Sequence, residues 1–115
     1  MYNLSKVKNM QIIWSNKKLQ RIYEDDTYNP KGYHPRVIDG FVDTVAFMED
    51  KTTTQEIRAL KRLHYEKLEA PYKNNEHSVR IWVAWRRLIF IPTEKWNFKI
   101  IDIIDLDNHT YRPKK

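Results

Sequence analysis

Hydrophobic and polar positions alternate most regularly in HSVRIWV, residues 77–83. Val79, Ile81 and Val83 fall on one face there, and Ser78, Arg80 and Trp82 on the other, the period of two expected of a half-buried strand. WRRLIFIP (85–92) and FKIIDIID (98–105) are rich in β-branched and aromatic residues and predict two more strands, separated by a Pro-Thr-Glu-Lys loop at 92–95. Near the other end, QIIW (11–14) predicts a first strand. Ser15 follows at the N-cap position of a helix carrying Leu19, Ile22 and Tyr23 and ending near Asp26. A polar loop with proline and glycine, residues 27–35, closes that helix.

From Pro35 onward the period changes to that of a helix. Val37, Ile38, Phe41, Val42, Val45 and Met48 form one apolar stripe, which packing on the sheet explains more simply than a partner groove. Gly40 interrupts it, at a cost of about 1 kcal/mol against alanine, and admits a close approach at that point. Thr53 and Glu56 have the spacing of a capping box in front of Ile57 and Leu60, so a short third helix leads into KRLHYEKL (61–68) and the loop APYKNNE (70–76). The order strand, helix, helix, short helix, three-strand meander predicts an α+β domain with helices on one sheet face and the other face open.

The 115 residues fit a single domain able to bury a core without metal or disulfide support. Residues 10–115 form that domain in this reading, and the polar, basic residues 1–9 a flexible leader. The chain has no cysteine, no secretory apolar segment and no apolar run long enough to cross a bilayer, which predicts a cytoplasmic protein with no membrane partner.

Charge is unevenly spread. Residues 22–57 hold three basic against eight acidic residues, whereas residues 1–21 hold five against none and residues 58–87 eight against three. Cations gathered around a sheet rich in Trp and Tyr suit a phosphate-binding surface, and equally suit an ordinary solvated one.

The sheet offers Arg80, Arg86 or Arg87, and Lys67, with His64 before it and His109 after it. These are the parts needed to cleave RNA through its own 2′-hydroxyl: a base, an acid, and cations where charge builds on the phosphorane. Histidine exchanges protons near neutral pH, and arginine grips phosphate through its planar fork. Asp107 is placed to orient His109 if the turn brings them together. Each has a plainer reading. His64 can be a surface residue at a helix end, His109 part of a frayed tail, and Arg80 a cross-strand partner of Glu76 or Asp102, while Trp82, Trp85 and Trp96 can serve packing alone.

Other chemistries lack their residues. The four histidines have no paired-ligand spacing and no cysteine to join them, so neither a metal nor another cofactor is expected. Two glycines do not make a phosphate-cradling loop, and the strand-to-helix serine elbow of hydrolases is missing.

TTQEIRAL (53–60), HYEKL (64–68), SVRIWVAWRRLIF (78–90) and DIIDLDNH (102–109) together resemble the RelE/HigB superfamily, the toxins of type II toxin–antitoxin modules. IFIP (89–92) followed by Trp96 looks most like the HigB branch, and the resemblance spans residues 10–109. It implies the RelE-like α+β fold: two N-terminal helices plus a short third on a twisted antiparallel sheet of about four strands. It also implies metal-independent endonuclease cleavage of mRNA on the ribosome, with contacts to ribosomal RNA that depend steeply on salt. Carried over, His64 and His109 are acid/base candidates, Arg80 and Arg86 hold or stabilise phosphate, and Asp107 supports His109. Lys61, Arg62, Lys67, Lys73 and Arg87 are the RNA- and phosphate-binding candidates. The implied partner is a HigA-like helix-turn-helix antitoxin, through which alone the toxin reaches operator DNA.

Two departures touch the site. Asn108 stands where HigB proteins often carry tyrosine, and Asn can neither stack on a base nor exchange a proton. Trp85-Arg86-Arg87-Leu88 has one residue more than the usual Trp-Arg-Leu spacing, so Arg86 and Arg87 compete for one position, and strand alternation lets only one face the site. Rival readings on the same fold are a ParE-like toxin that binds DNA gyrase without catalysis, and an inactive relative acting with its antitoxin in repression.

Overall fold

The computed structural model describes residues 10–68, 75–81, 86–95 and 98–107. Strand β1 (Gln11–Trp14) is followed by helices α1 (Lys17–Glu24), α2 (Pro35–Glu49) and α3 (Thr54–Ala59), then a single 3-10 turn (Lys61–Leu63). Strands β2 (Glu66–Lys67), β3 (His77–Arg80), β4 (Arg87–Lys95) and β5 (Phe98–Asp107) complete the fold.

The sheet corrects the expected one. It has five strands in the order β1-β5-β4-β3-β2, and β1 lies parallel to β5 while every other pair is antiparallel. A parallel edge partner needs a long crossover, here the helical segment, and nothing local in QIIW announces its direction. The expected loop at 92–95 is strand, paired residue for residue with 98–101. Pro92 is tolerated because β3 pairs only with Arg87 to Phe90, leaving that part of β4 without a neighbour on the β3 side among the described residues.

Local chemistry sets the helix ends. Asn16, not Ser15, caps α1, its Oδ1 accepting from the Leu19 amide at 3.0 Å. Ser15 instead ties β1 to β5: its amide and hydroxyl each donate to the Asp102 carboxylate at 2.8 Å. That carboxylate is therefore engaged by Ser15 rather than lying opposite Arg80. The His34 ring caps α2 with Pro35 at the first helical position, and both halves of the Thr53–Glu56 capping box are formed.

One face of the sheet carries the core. Val79, Leu88 and Leu106 align across β3, β4 and β5, with Phe90, Ile101 and Ile103 beside them, and all are buried. Leu19, Ile22, Val37, Phe41, Val45, Met48 and Ile57 pack against them from the helices. Phe41 is fully buried, edge-on to Trp14 and Tyr23 at ring separations of 6.2 and 6.5 Å. Phe41→Ala should cost about 3–5 kcal/mol, read as a lowered urea midpoint with an unchanged slope.

A polar pair sits at the edge of this core. The Tyr65 hydroxyl and His77 Nδ1 are hydrogen-bonded at 2.7 Å, and the two rings meet Phe90 edge-on or tilted. Burial raises the Tyr65 pKa and lowers that of His77, where the Arg58 and Lys67 charges act in the same direction. His77 is thus neutral near pH 7, and because Asn75 Oδ1, 3.4 Å from Nε2, can only accept, the ring proton is assigned to Nε2 and Nδ1 accepts from Tyr65. The unfolded chain binds that proton more readily. The stability that neutral His77 contributes is complete above pH about 6.5 and is lost as pH falls below it. His77→Gln should flatten this stretch of the pH–stability curve, measured by urea unfolding between pH 7.5 and 5.

Candidate nucleic-acid interface

The opposite sheet face carries Ser78, Arg80, Arg87 and Ile89, and because Ser78, Ile89 and Arg87 are buried it is not the open face expected from the sequence. Arg80 and Arg87 are direct cross-strand partners on β3 and β4, and Arg87 is in turn the backbone partner of Asp107 on β5. Two arginines opposed in this way cost stability unless anionic or accepting groups accompany them. Both are engaged by further groups.

Arg87 is the anchor of this row. Only 7 % exposed, it donates from Nε to the Oγ of fully buried Ser78 at 2.9 Å and from Nη2 to the His64 carbonyl oxygen. The second bond fixes a strained residue. His64 follows the 3-10 turn in the left-handed region, φ 47°, a conformation that costs a non-glycine residue about 1–2 kcal/mol. With its carbonyl turned inward to Arg87, His64 is left exposed at the rim. Lys61 and Arg62, on the turn just before it, are exposed as well.

The two adjacent arginines lie in different surroundings. Arg86 precedes β4 and lies on the helical side, its guanidinium 5.5 Å from the Tyr33 ring, which also receives Lys18 Nζ at 5.2 Å. Arg87 is the one on the His64 side. The structure therefore brings together His64, Arg80, Arg87 and the backbone position of Asp107, and leaves Arg86 apart. Lys67 on β2 is exposed and lines a different cleft, with Arg58, Asn75 and His77. Lys73 and His109 lie outside the described residues.

Two contributors escaped the sequence reading. Ser78 holds Arg87 in place, and its signal was its position two residues before Arg80, on the same face of the strand. Tyr65 is the other, bonded to a histidine that periodicity alone marks only as a strand residue. Among the described residues no group of three His, Asp or Glu side chains could hold a metal ion, and no helix is long and apolar enough to cross a membrane.

No protein-family model and no curated protein matches the chain. Among solved structures, a YoeB/ParE toxin from Agrobacterium tumefaciens has a similar fold, with a TM-score of 0.53 at 14 % identity over 87 % of this chain and 99 % of that one. At that identity the likeness establishes a shared fold, a small α+β domain with helices on one side of its sheet.

Arg87→Ala should destabilise the protein by about 2–3 kcal/mol, because it strands the Ser78 hydroxyl and the His64 carbonyl without a donor. Arg87→Lys should recover little, since one ammonium cannot reproduce the fork. Arg86→Ala should cost no more than about 1 kcal/mol. Urea unfolding of the three variants checks the order.

Proposed function

We propose that this chain is the toxin of a toxin–antitoxin pair and a metal-independent endoribonuclease that cleaves mRNA on the ribosome through the 2′-hydroxyl. The observation that carries the reading is the clamp that joins exposed His64 through its carbonyl to Arg87, in register with Arg80 and Asp107. It sets a histidine, the side chain most used as a general acid or base, beside two guanidinium-bearing positions. Phosphodiester cleavage needs that combination. The resemblance of 53–60, 64–68, 78–90 and 102–109 to the HigB branch, and the fold shared with a YoeB/ParE toxin, point the same way.

In this reading His64 and His109 divide the roles of acid and base, Arg80 and Arg87 stabilise charge on the phosphorane, and Asp107 supports His109. Arg87 takes the place given to Arg86 by motif spacing, because Arg87 lies on the His64 side. Lys61 and Arg62 extend the cationic rim toward ribosomal RNA. The partner is an antitoxin of the HigA-like helix-turn-helix kind, which carries the complex to operator DNA.

The test is cleavage of a defined mRNA in a purified translation system, mapped by primer extension with and without ribosomes. Cuts at A-site codons only with ribosomes present, slowed about 100-fold or more in His64→Ala, are expected. An intact message together with inhibited gyrase supercoiling would replace this reading with a ParE-like one. Absence of toxicity on expression would leave a repressor component.

A further inference from the structure

We propose that the cleft between α3 and the hairpin end of the sheet is a second, separate phosphate-binding site, built by Arg58 and Lys67 beside His77. It takes a phosphate group, either free or in the backbone of a nucleic-acid strand. The inference stands on this cleft alone and not on the catalytic reading of the other sheet face.

The cleft has a volume of about 410 Å³ and, among the described residues, is lined by Thr54, Arg58, Lys67, Asn75, His77 and Thr93 with Met10, Pro92 and Ile100, and by no carboxylate. Every polar side chain in that lining can donate a hydrogen bond. Two cations converge on it: Arg58 and Lys67 both lie close enough to His77 to disfavour its protonation. Neither belongs to the ion pairs among the described residues, Arg21 with Asp25 and Lys51 with Asp50. Like charges gathered in one cleft repel, and a bound anion removes that repulsion.

The donors are also held in place. The Arg58 guanidinium sits over Tyr65, 4.4 Å from the ring centroid, which anchors it beside the cleft. The Tyr65 hydroxyl occupies His77 Nδ1, so the ring proton is on Nε2, toward Asn75 Oδ1 at a long 3.4 Å. An anion oxygen is a stronger acceptor at that nitrogen than so distant an amide. Planar, tetrahedral and point donors around one volume suit the several oxygens of a phosphate better than a single carboxylate. The site is also distinct from the His64–Arg87 clamp. Lys67 and His77 are register partners on the core face, whereas Arg80 and Arg87 are partners on the opposite one.

The experiment is NMR of the full-length protein at low salt, following the His77 imidazole while inorganic phosphate, a short single-stranded oligonucleotide or a poly-glutamate peptide is added. Phosphate or the oligonucleotide should shift His77 saturably, and Arg58→Gln with Lys67→Gln should weaken that binding at least about 10-fold. Tighter binding of the oligonucleotide than of phosphate identifies a strand as the ligand, and equal binding identifies the free anion. For the strand, losing two phosphate contacts should lower the slope of log K against log salt by about 1.4. No His77 shift with either phosphate species, or a shift with poly-glutamate alone, overturns the proposal. If the double variant is poorly folded, Lys67→Gln by itself, at an exposed position, should still weaken phosphate binding several-fold, and unchanged binding there also overturns it. Loss of mRNA cleavage has no bearing on these outcomes, because the readout is binding at His77.

Discussion

A guanidinium buried within the sheet, that of Arg87, is the constraint on which the arrangement of the candidate site depends. Placing a permanent charge where only 7 % of the residue meets solvent is costly unless acceptors are ready for it. Ser78 on the neighbouring strand and the carbonyl of His64 are those acceptors. The bond to His64 therefore does two things: it satisfies the arginine, and it holds a left-handed histidine at the rim. Charge burial, strand register and the strained turn are thus one coupled device, and stability and site geometry cannot be altered independently there.

That device rests on alternation along the central strands. Leu88 and Phe90 point into the core while Arg87, one residue away, belongs to the other face, where Ser78 and Ile89 are buried beside it. A register irregularity between Ile89 and Phe90 lets β4 change its pairing with β5 while keeping apolar residues inward. The helices contribute packing from one side, and their acidic surface leaves the cationic work to residues 58–87.

Much of this was legible in the sequence where the signal is local. The α2 stripe, the Thr53–Glu56 capping box and the strands beginning at His77 and Phe98 follow from periodicity and capping chemistry, and each is present. The parallel pairing of β1 with β5 was not legible, because strand direction is decided by a crossover spanning most of the chain. Residues 92–95 looked like a loop because proline and charged residues also mark unpaired strand edges, which is where they are. Alternation showed that only one of Arg86 and Arg87 could face the site. Which one depended on how the chain enters β4 beside Tyr33, a tertiary fact. The positions of Arg86 and Arg87 relative to His64 were likewise visible only in the folded chain.

The proposed activity is cleavage of RNA through its own 2′-hydroxyl at a phosphate held before His64 and Arg87. The most direct measurement uses two messages in a purified translation reaction, identical except for a single 2′-deoxy substitution at the cut nucleotide of the A-site codon. The account predicts that the all-ribose message is cut, leaving a 2′,3′-cyclic phosphate, while the substituted message survives at that position. Equal cutting of both messages would contradict it, because water rather than the 2′-oxygen would then be the nucleophile.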